Sequence, residues 1–574
     1  MYPQNTTTNN VMTAPDPKLE KLLREKKAGR ELQERKHSDW QENYELYRNK
    51  VKTNRLTQRQ AVNVPMMKET IKTILSKVDD SPNIDWKEKS GDEFKELIYQ
   101  ELWNEQFKKN KFEWKDVIDK KNVLLYGLSS KFLYPCDSGV DVDIPDVYDI
   151  VYDPLMNPVD VESARFIVRQ NIFRNLRDIL ADKRYTKEGK DALKMYKDTQ
   201  VGMVQSTENK KAFEEKMKRL ESVGVDKSDF AYYAGGDVVV NLTEHYTMHW
   251  NGTKFERRVC VYADDAVALL DEKLEDLIGV DFWPFVLWME DPESTDVYPD
   301  GIADLVRTPN KILNVWFSQQ VENRTLQNFQ MHWYDATKQG YTPQTYEPGP
   351  GVMLPAPGNP NETIMPVQIN GLDETFVAID FLTKIVERGS GAVAIEKGVA
   401  EKGTQTLGEV QILVGKAMER SVAMAKFYRN SWYETAWKWS ALMDANPPQS
   451  VKLYKAGRSG KLHEKTVTPK DWKSDAGYEP LVSSTSEQEQ EQLKTLQKFN
   501  YVIQQNPNNI ALKRIGQKRQ LESLDLTPDE LKDIEEADKQ AQEMALTQAM
   551  PQQDPQTPQQ APINPQLMAQ SAQA

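Results

Sequence analysis

Apolar positions along this chain change their period several times, and each change marks a different kind of element. Over residues 18–50, Leu19, Leu22, Leu23, Leu32, Trp40, Tyr44 and Tyr47 recur at spacings of about three and four, which predicts an amphipathic helix. Between residues 123 and 261, β-prone runs at 147–151, 165–169 and 237–242 interleave with helical stretches at 187–197 and 210–222, so this region reads as mixed α and β. The strongest local signal is Asn251-Gly252 between strand-forming runs at 238–250 and 253–262. Asn-Gly suits a two-residue hairpin turn because both central residues need positive φ.

The texture then changes. Thr308-Pro309 predicts a helix start, with Thr as N-cap and Pro in the first turn, running to about Gln330. Residues 341–366 are rich in Pro and Gly and cannot be helical. A shorter helical pattern covers 373–387, and 389–403 reads as a Gly- and Ala-rich loop. Next comes the clearest helix, its stripe formed by Leu407, Val410, Val414, Met418, Ser421, Ala425, Tyr428, Trp432, Ala436, Trp439 and Met443. Short β-prone segments follow at 451–454 and 465–467. Two capped helices then start at Ser486 with Glu489 and at Thr527-Pro528-Asp529-Glu530. From about Lys539 the chain is Gln, Pro and Ala, a composition that cannot bury a core and predicts disorder. The fold class expected is α+β, rich in helix.

Composition narrows the function. With 39% hydrophobic residues and 13 Trp, 574 residues can fill a sizeable core. The net charge of -13 argues against coating nucleic acid through a basic surface. A basic excess between Lys18 and Lys36 reads first as a solvated helix face and second as a contact for DNA or an acidic partner. Two cysteines, Cys136 and Cys260, do not make a disulfide framework, so a reducing cytoplasm is expected. Residues 1–17 lack the apolar stretch of a signal peptide, and no apolar run approaches the ~20 residues that cross a bilayer.

Reactive constellations are missing at the level of motif, so no catalytic residue, metal ligand or cofactor is expected. Gly457-Arg458-Ser459-Gly460-Lys461 lacks the spacing of a phosphate-binding loop, and neither Gly127-Leu128-Ser129 nor Gly457-Arg458-Ser459 has the second Gly of a nucleophile elbow. His245 and His249 fall in the expected hairpin, where four residues span about 13 Å, too far to share an ion. Asp137, Asp141, Asp143, Asp146 and Asp149 lack the Gly and closing Glu of a calcium loop and read as acids beside strand ends. Trp432, Tyr433, Trp437 and Trp439 lie at helical spacing and read as core before they read as a base-stacking platform.

The order of several phrases resembles the portal proteins of tailed bacteriophages. These are Trp40, Tyr44 and Tyr47, then Asn63-Val64-Pro65 before an apolar helix, and Ser81-Pro82-Asn83-Ile84. Further on come Tyr152-Asp153-Pro154 with Asp160 and Ala164-Arg165-Phe166, then Pro284-Phe285-Val286, Gly301-Ile302 and the helix over 310–328, and finally Thr406-Leu407-Gly408-Glu409. The resemblance covers about residues 20–535 and implies a portal fold with α/β wing, stem helices, clip, tunnel loop and helical crown. Carried onto this sequence, it implies a disordered N-terminus (1–17), N-terminal helices and wing (18–300), stem helix (301–330), clip (331–372), second stem helix (373–388), tunnel loop (389–404), long helix (405–446), C-terminal wing and crown segment (447–538) and disordered Gln/Pro-rich tail (539–574). The clip candidate is more Pro-rich than the family pattern.

That resemblance further implies a dodecameric homo-oligomeric ring at the portal vertex of the virion, assembled in the host cytoplasm, through which double-stranded DNA passes during packaging and ejection. Implied partners are the terminase large subunit, head-tail adaptor and tail proteins, and major capsid and scaffolding proteins, with no membrane. Arg388, Lys397 and Lys402 are the candidates for facing DNA, and Trp333, Tyr334 and Tyr341 for contacting terminase or adaptor. Two other classes stay open: a different head-tail connector or shell protein, and a packaging ATPase or nuclease, which the missing phosphate loop disfavours.

Overall fold

The computed structural model describes residues 17–50, 61–77, 82–199, 216, 217, 219–221, 239–328, 332–334, 364–366, 374–390, 407–456 and 462–484. The chain divides into two compact units, residues 1–454 with 464–486 and residues 455–463 with 487–574; of the second, only 455, 456, 462 and 463 are described. In chain order α1 (Pro17–Tyr47), α2 (Met66–Lys77), β1 (Pro82–Glu88), α3 (Glu93–Lys109) and α4 (Phe112–Tyr126) lead into β2 (Leu128–Cys136), β3 (Gly139–Asp143), β4 (Ile150–Tyr152) and β5 (Phe166–Asn175). After α5 (Leu176–Ala181) and α6 (Lys187–Thr199) come β6 (Val239–Trp250), β7 (Phe255–Ala263), β8 (Val267–Lys273), α7 (Leu274–Ile278) and β9 (Phe285–Met289). Then follow α8 (Ile302–Asn328), β10 (His332–Tyr334), β11 (Ile364–Pro366), α9 (Glu374–Ser390), α10 (Leu407–Ala445), β12 (Val451–Ala456), β13 (Leu462–Val467), α11 (Pro469–Trp472) and β14 (Tyr478–Ser484).

Two antiparallel sheets, β4-β5-β6-β7-β8 and β3-β2-β9, carry the mixed region, and a ribbon pairs β1 with β14. Edge strands invite pairing with other chains, and here side chains occupy them. Gln33 donates to the carbonyls of Val147 and Ile150 at 2.8 Å, and Tyr298 accepts the Tyr152 N–H at 3.1 Å, along β4. Gln100 accepts from the Trp86 N–H and donates to the Ile84 carbonyl, both at 2.9 Å, along β1. At β3, Trp439 donates to the Val140 carbonyl. The main core holds Trp86, Tyr99, Trp103 and Trp439 in edge and tilted contacts 4.8–5.7 Å apart, which ties α3 and β1 to α10.

Helix α1 lies directly on β4. A Cβ on Gly29 would stand 2.6 Å from Val151 Cγ1 and 2.7 Å from the Tyr152 carbonyl oxygen, so only glycine allows this approach. Its basic residues pair with the chain's own acids: buried Lys26 with Asp265 at 2.7 Å, Arg30 with Glu34 at 2.9 Å, and Lys36 with Asp300 at 2.6 Å. These three cations are engaged with the chain's own acids, whereas Lys18 and Lys21 nearer the start of the helix have exposed side chains. Four of the five acids in the acidic run are likewise paired, Asp141 with Lys115, Asp143 with Arg169, Asp146 with Arg219 and Asp149 with Lys216. Both cysteines are free thiols.

Several sequence expectations need correction. The β6–β7 hairpin closes with four residues, since Trp250 pairs with Phe255. Asn251 opens that loop by accepting the N–H groups of Thr253 and Lys254 at 2.9 Å, and only Gly252 takes positive φ, +97°. Helix α8 starts at Ile302, not at Thr308, and Pro309 sits inside it. The missing N–H costs one helical bond, and burial of Ala303 and Val306 keeps the upstream turn helical. Of the aromatic group on α10, Trp432 and Trp439 are core, whereas Tyr433 and Trp437 are exposed. The capped helices expected from Ser486 and Thr527, the Gln/Pro-rich tail, and most of the helix at 210–222 and the Pro-rich stretch lie outside the described residues.

Candidate functional site

Helices α8 and α9 form an antiparallel pair, because the end of α9 lies against the start of α8: a Cβ on Gly389 would meet Leu305 Cδ2 at 2.7 Å. The inner face of α8, Ala303, Val306, Asn310, Leu313, Asn314 and Ser318, is buried against the body. The outer face of α9 is apolar and uncovered. Phe376, Val377 and Phe381 are 59%, 74% and 63% exposed, with Ile385 one turn further on. Positions 377, 381 and 385 fall four apart, hence on one stripe. The other ends of the pair lead to β10 and β11, where Trp333 pairs with Met365 and Tyr334 with Ile364.

Of the residues expected to act, Arg388 lies in the last turn of α9, and Trp333 and Tyr334 lie in β10. Lys397, Lys402 and Tyr341 lie outside the described residues, as does nearly all of the Gly-rich loop expected at 389–403.

Two further arrangements fix this pair and α10, and the sequence reading missed both. The first is a polar ladder on α8. Asn310 accepts the Met67 N–H at 2.8 Å, Asn314 the Val64 N–H at 2.7 Å, and Ser318 the Val62 N–H at 3.0 Å. The extended segment ahead of α2 and the first turn of α2 therefore find backbone partners on one helix. Spacing of four between Asn310, Asn314 and Ser318 was the available signal, yet polar residues at helical period ordinarily mark a wet face.

The second is a buried ionic network under α10. Asp119 of α4 meets Lys131 of β2 at 2.9 Å with both side chains 0% exposed, and Trp288 donates to Asp119 at 2.7 Å. Lys131 also donates to Ser431 of α10 at 2.9 Å. Beside it Asp116 pairs with Lys120 at 2.7 Å and accepts from Tyr428 at 2.5 Å and Trp432 at 3.2 Å. Burial pushes the Asp116 carboxyl up against the pull of Lys120, and burial beside Asp116 holds the Tyr428 hydroxyl far above its ordinary range. One helical turn beyond Glu434, buried Lys438 joins Glu162 and Glu434 at 2.9 Å and the Phe285 carbonyl at 2.7 Å. Together these contacts lock residues 428–438 of α10 onto α4, the three-stranded sheet and the Glu162 turn between β4 and β5.

Near the start of α8, Glu290 is half-buried, with one enclosed carboxyl oxygen unpartnered among the described residues. Burial lifts its carboxyl to about 7, against a hydrogen bond from the Ile302 backbone.

Among the described residues no group of three or more His, Cys, Asp or Glu could hold a metal, and no helix is long and apolar enough to cross a membrane. His245 illustrates the point: it is buried in β6 with its Nε2 3.0 Å from Glu25, while His249 is exposed. The buried charged groups brace α10, and the stripe Val377, Phe381 and Ile385 on α9 is apolar. A comparison with curated proteins finds no match. The sequence model of one family, phage SU10 portal protein, matches residues 137–574, which include the five-stranded sheet, the α8–α9 pair and α10. Since that match spans well over half of the chain, the protein belongs to the phage SU10 portal protein family.

Proposed function

We propose that this chain is one stave of an oligomeric ring at a single capsid vertex, and that double-stranded DNA passes through its centre during packaging and ejection. One observation carries the ring: Val377, Phe381 and Ile385 stand uncovered along α9. Burying such a stripe is worth roughly 25 cal/mol per Å2, and uncovered apolar surface of this kind marks an interface. A neighbouring copy can bury it continuously around a closed ring. Membership of a phage portal family supplies the setting.

On this reading α8 and α9 are the stem helices, residues 331–372 the clip, and residues 389–404 the loop at the narrowest part of the channel. Twelve copies would follow the family pattern that the phrases resemble. Arg388, Lys397 and Lys402 face the passing duplex, and Trp333, Tyr334 and Tyr341 meet the terminase large subunit or the head-tail adaptor. Capsid and scaffolding proteins surround the outer rim, and tail proteins join after packaging. A sliding duplex must not be gripped. Each phosphate neutralised by Lys or Arg adds salt-sensitive affinity, and a chain of net charge -13 offers few such contacts.

Sedimentation velocity at micromolar concentration tests this. The unaltered chain is expected as one fast species, and Val377→Asp with Phe381→Asp as slow subunits with unchanged far-UV dichroism. An unaltered chain that sediments as a monomer, or a variant that keeps the ring, overturns the reading.

A further inference from the structure

A cleft of about 350 Å3 opens between the first turns of α1 and the face of β6, β7 and β8 that α1 covers. Its floor is a small apolar cluster separate from the main core, in which Leu19 and Leu22 pack on Tyr262 with Cys260 beside them. Its rim is cationic. Lys18, Lys21 and Arg258 line it against a single carboxylate, Asp271. Arg258 holds Asp271 at 2.8 Å and Lys18 reaches it at 3.4 Å, so two cations share one acid. Lys21 reaches Glu25 at 3.5 Å, and the Lys18 and Lys21 side chains are 71% and 56% exposed. Both side chains are open to solvent at the mouth of the cleft. On a chain whose net charge is -13, this mouth has the opposite sign.

We propose that the cleft is a docking slot for a short acidic peptide segment of another protein of the phage particle. One apolar side chain sits on the floor of Leu19, Leu22 and Tyr262, and its flanking carboxylates meet Lys18, Lys21 and Arg258. The volume lies at the small end of the roughly 300–1,000 Å3 of ligand sites, which suits one or two side chains. An apolar anchor inside a charged rim is the pattern by which protein segments bind. A duplex would use the cations but leave the floor empty, so a nucleic acid fits less well. This inference rests on the chain being a particle component, and it does not depend on the α9 stripe.

Fluorescence anisotropy on the full chain tests it, with a fluorescein-labelled peptide Glu-Asp-Leu-Phe-Asp-Glu. Two control peptides replace Leu-Phe by Ser-Ser or all four acids by Lys. The first peptide is expected to bind at least tenfold more tightly than either control, and more weakly as salt rises. Lys18→Glu with Lys21→Glu changes only exposed positions and is expected to weaken binding at least tenfold. Ala268→Trp, at an exposed position of β8 lining the cleft, is expected to do the same by filling it, without altering charge. Equal binding of the three peptides, or unchanged affinity in both variants, overturns the proposal. So does octanoate binding in the cleft where the peptide does not, which would make it a site for a free amphiphile. Both variants are expected to sediment like the unaltered chain; loss of the ring in either would make the cleft a seam between copies and overturn the slot, whereas loss in the α9 stripe variant alone leaves the slot standing.

Discussion

Replacing Asp119 by asparagine keeps the shape of the side chain and removes its charge, and the cost reports how firmly α4 and β2 hold α10. Lys131 would remain 0% exposed with its ammonium facing a neutral amide 2.9 Å away. Removing one member of a buried pair costs about 3–5 kcal/mol, because the surviving charge keeps its desolvation penalty. Lys131→Met leaves Asp119 in the same position and is expected to cost a similar amount. The double change Asp119→Asn, Lys131→Met removes both charges and is expected to recover most of the loss, giving a coupling of about 2 kcal/mol or more. Hydrogen exchange resolved by peptide is the assay, over residues 112–126 and 424–445. At 1.4 kcal/mol per tenfold, each single change speeds exchange there by about 100-fold or more. A single change that costs under about 1 kcal/mol, or a double change that equals the sum of the singles, would refute the reasoning.

Three further outcomes are expected. Asn314→Ala leaves the half-buried Val64 N–H without its acceptor and should cost about 1 kcal/mol, read as faster exchange at Val64; unchanged protection there would count against the ladder. Glu290 has a carboxyl raised to about 7 in the fold from an ordinary 4.5, so the stability it contributes is full below about pH 4.5 and is lost as pH rises through about 7. Glu290→Gln should flatten thermal stability between pH 5 and 8 and exceed the unaltered chain at pH 8 by about 1–3 kcal/mol; identical pH slopes would contradict this. Gly29→Ala improves helix propensity by about 1 kcal/mol, yet its Cβ collides with Val151 and the Tyr152 carbonyl. Net destabilisation of about 1–3 kcal/mol is expected in chemical denaturation, and net stabilisation would mean that α1 does not lie so close to β4.

Elements whose burial is one-sided were legible from sequence. The stripe from Leu407 to Met443 belongs to a 39-residue helix, roughly 58 Å long, because a single apolar face imposes its period. Strand-forming runs on either side of Asn251-Gly252 likewise marked β6 and β7, although Asn251 uses its own side chain to lengthen the loop. Local signals failed where tertiary packing decides. Thr308-Pro309 looks like a start, but Ala303 and Val306 need a helical turn ahead of it. Asp116 and Lys120, four apart, look like a solvated pair, and only the arrival of Tyr428 and Trp432 buries them. The α9 stripe shows the converse: Val377, Phe381 and Ile385 have the spacing of core positions, and nothing in the sequence says that they remain uncovered. Of the candidate site residues, the ones placed by the structure lie on α9 and β10, while the braces that hold the neighbouring α8 and α10 were invisible as motifs.

Electron-microscope class averages of the purified full chain test the central claim most directly. The account expects closed rings of one subunit number with a central hole wide enough for duplex DNA, and with the α9 stripe at the boundary between neighbours. Isolated subunits at micromolar concentration, or a flat shell-like lattice without a hole, would contradict it.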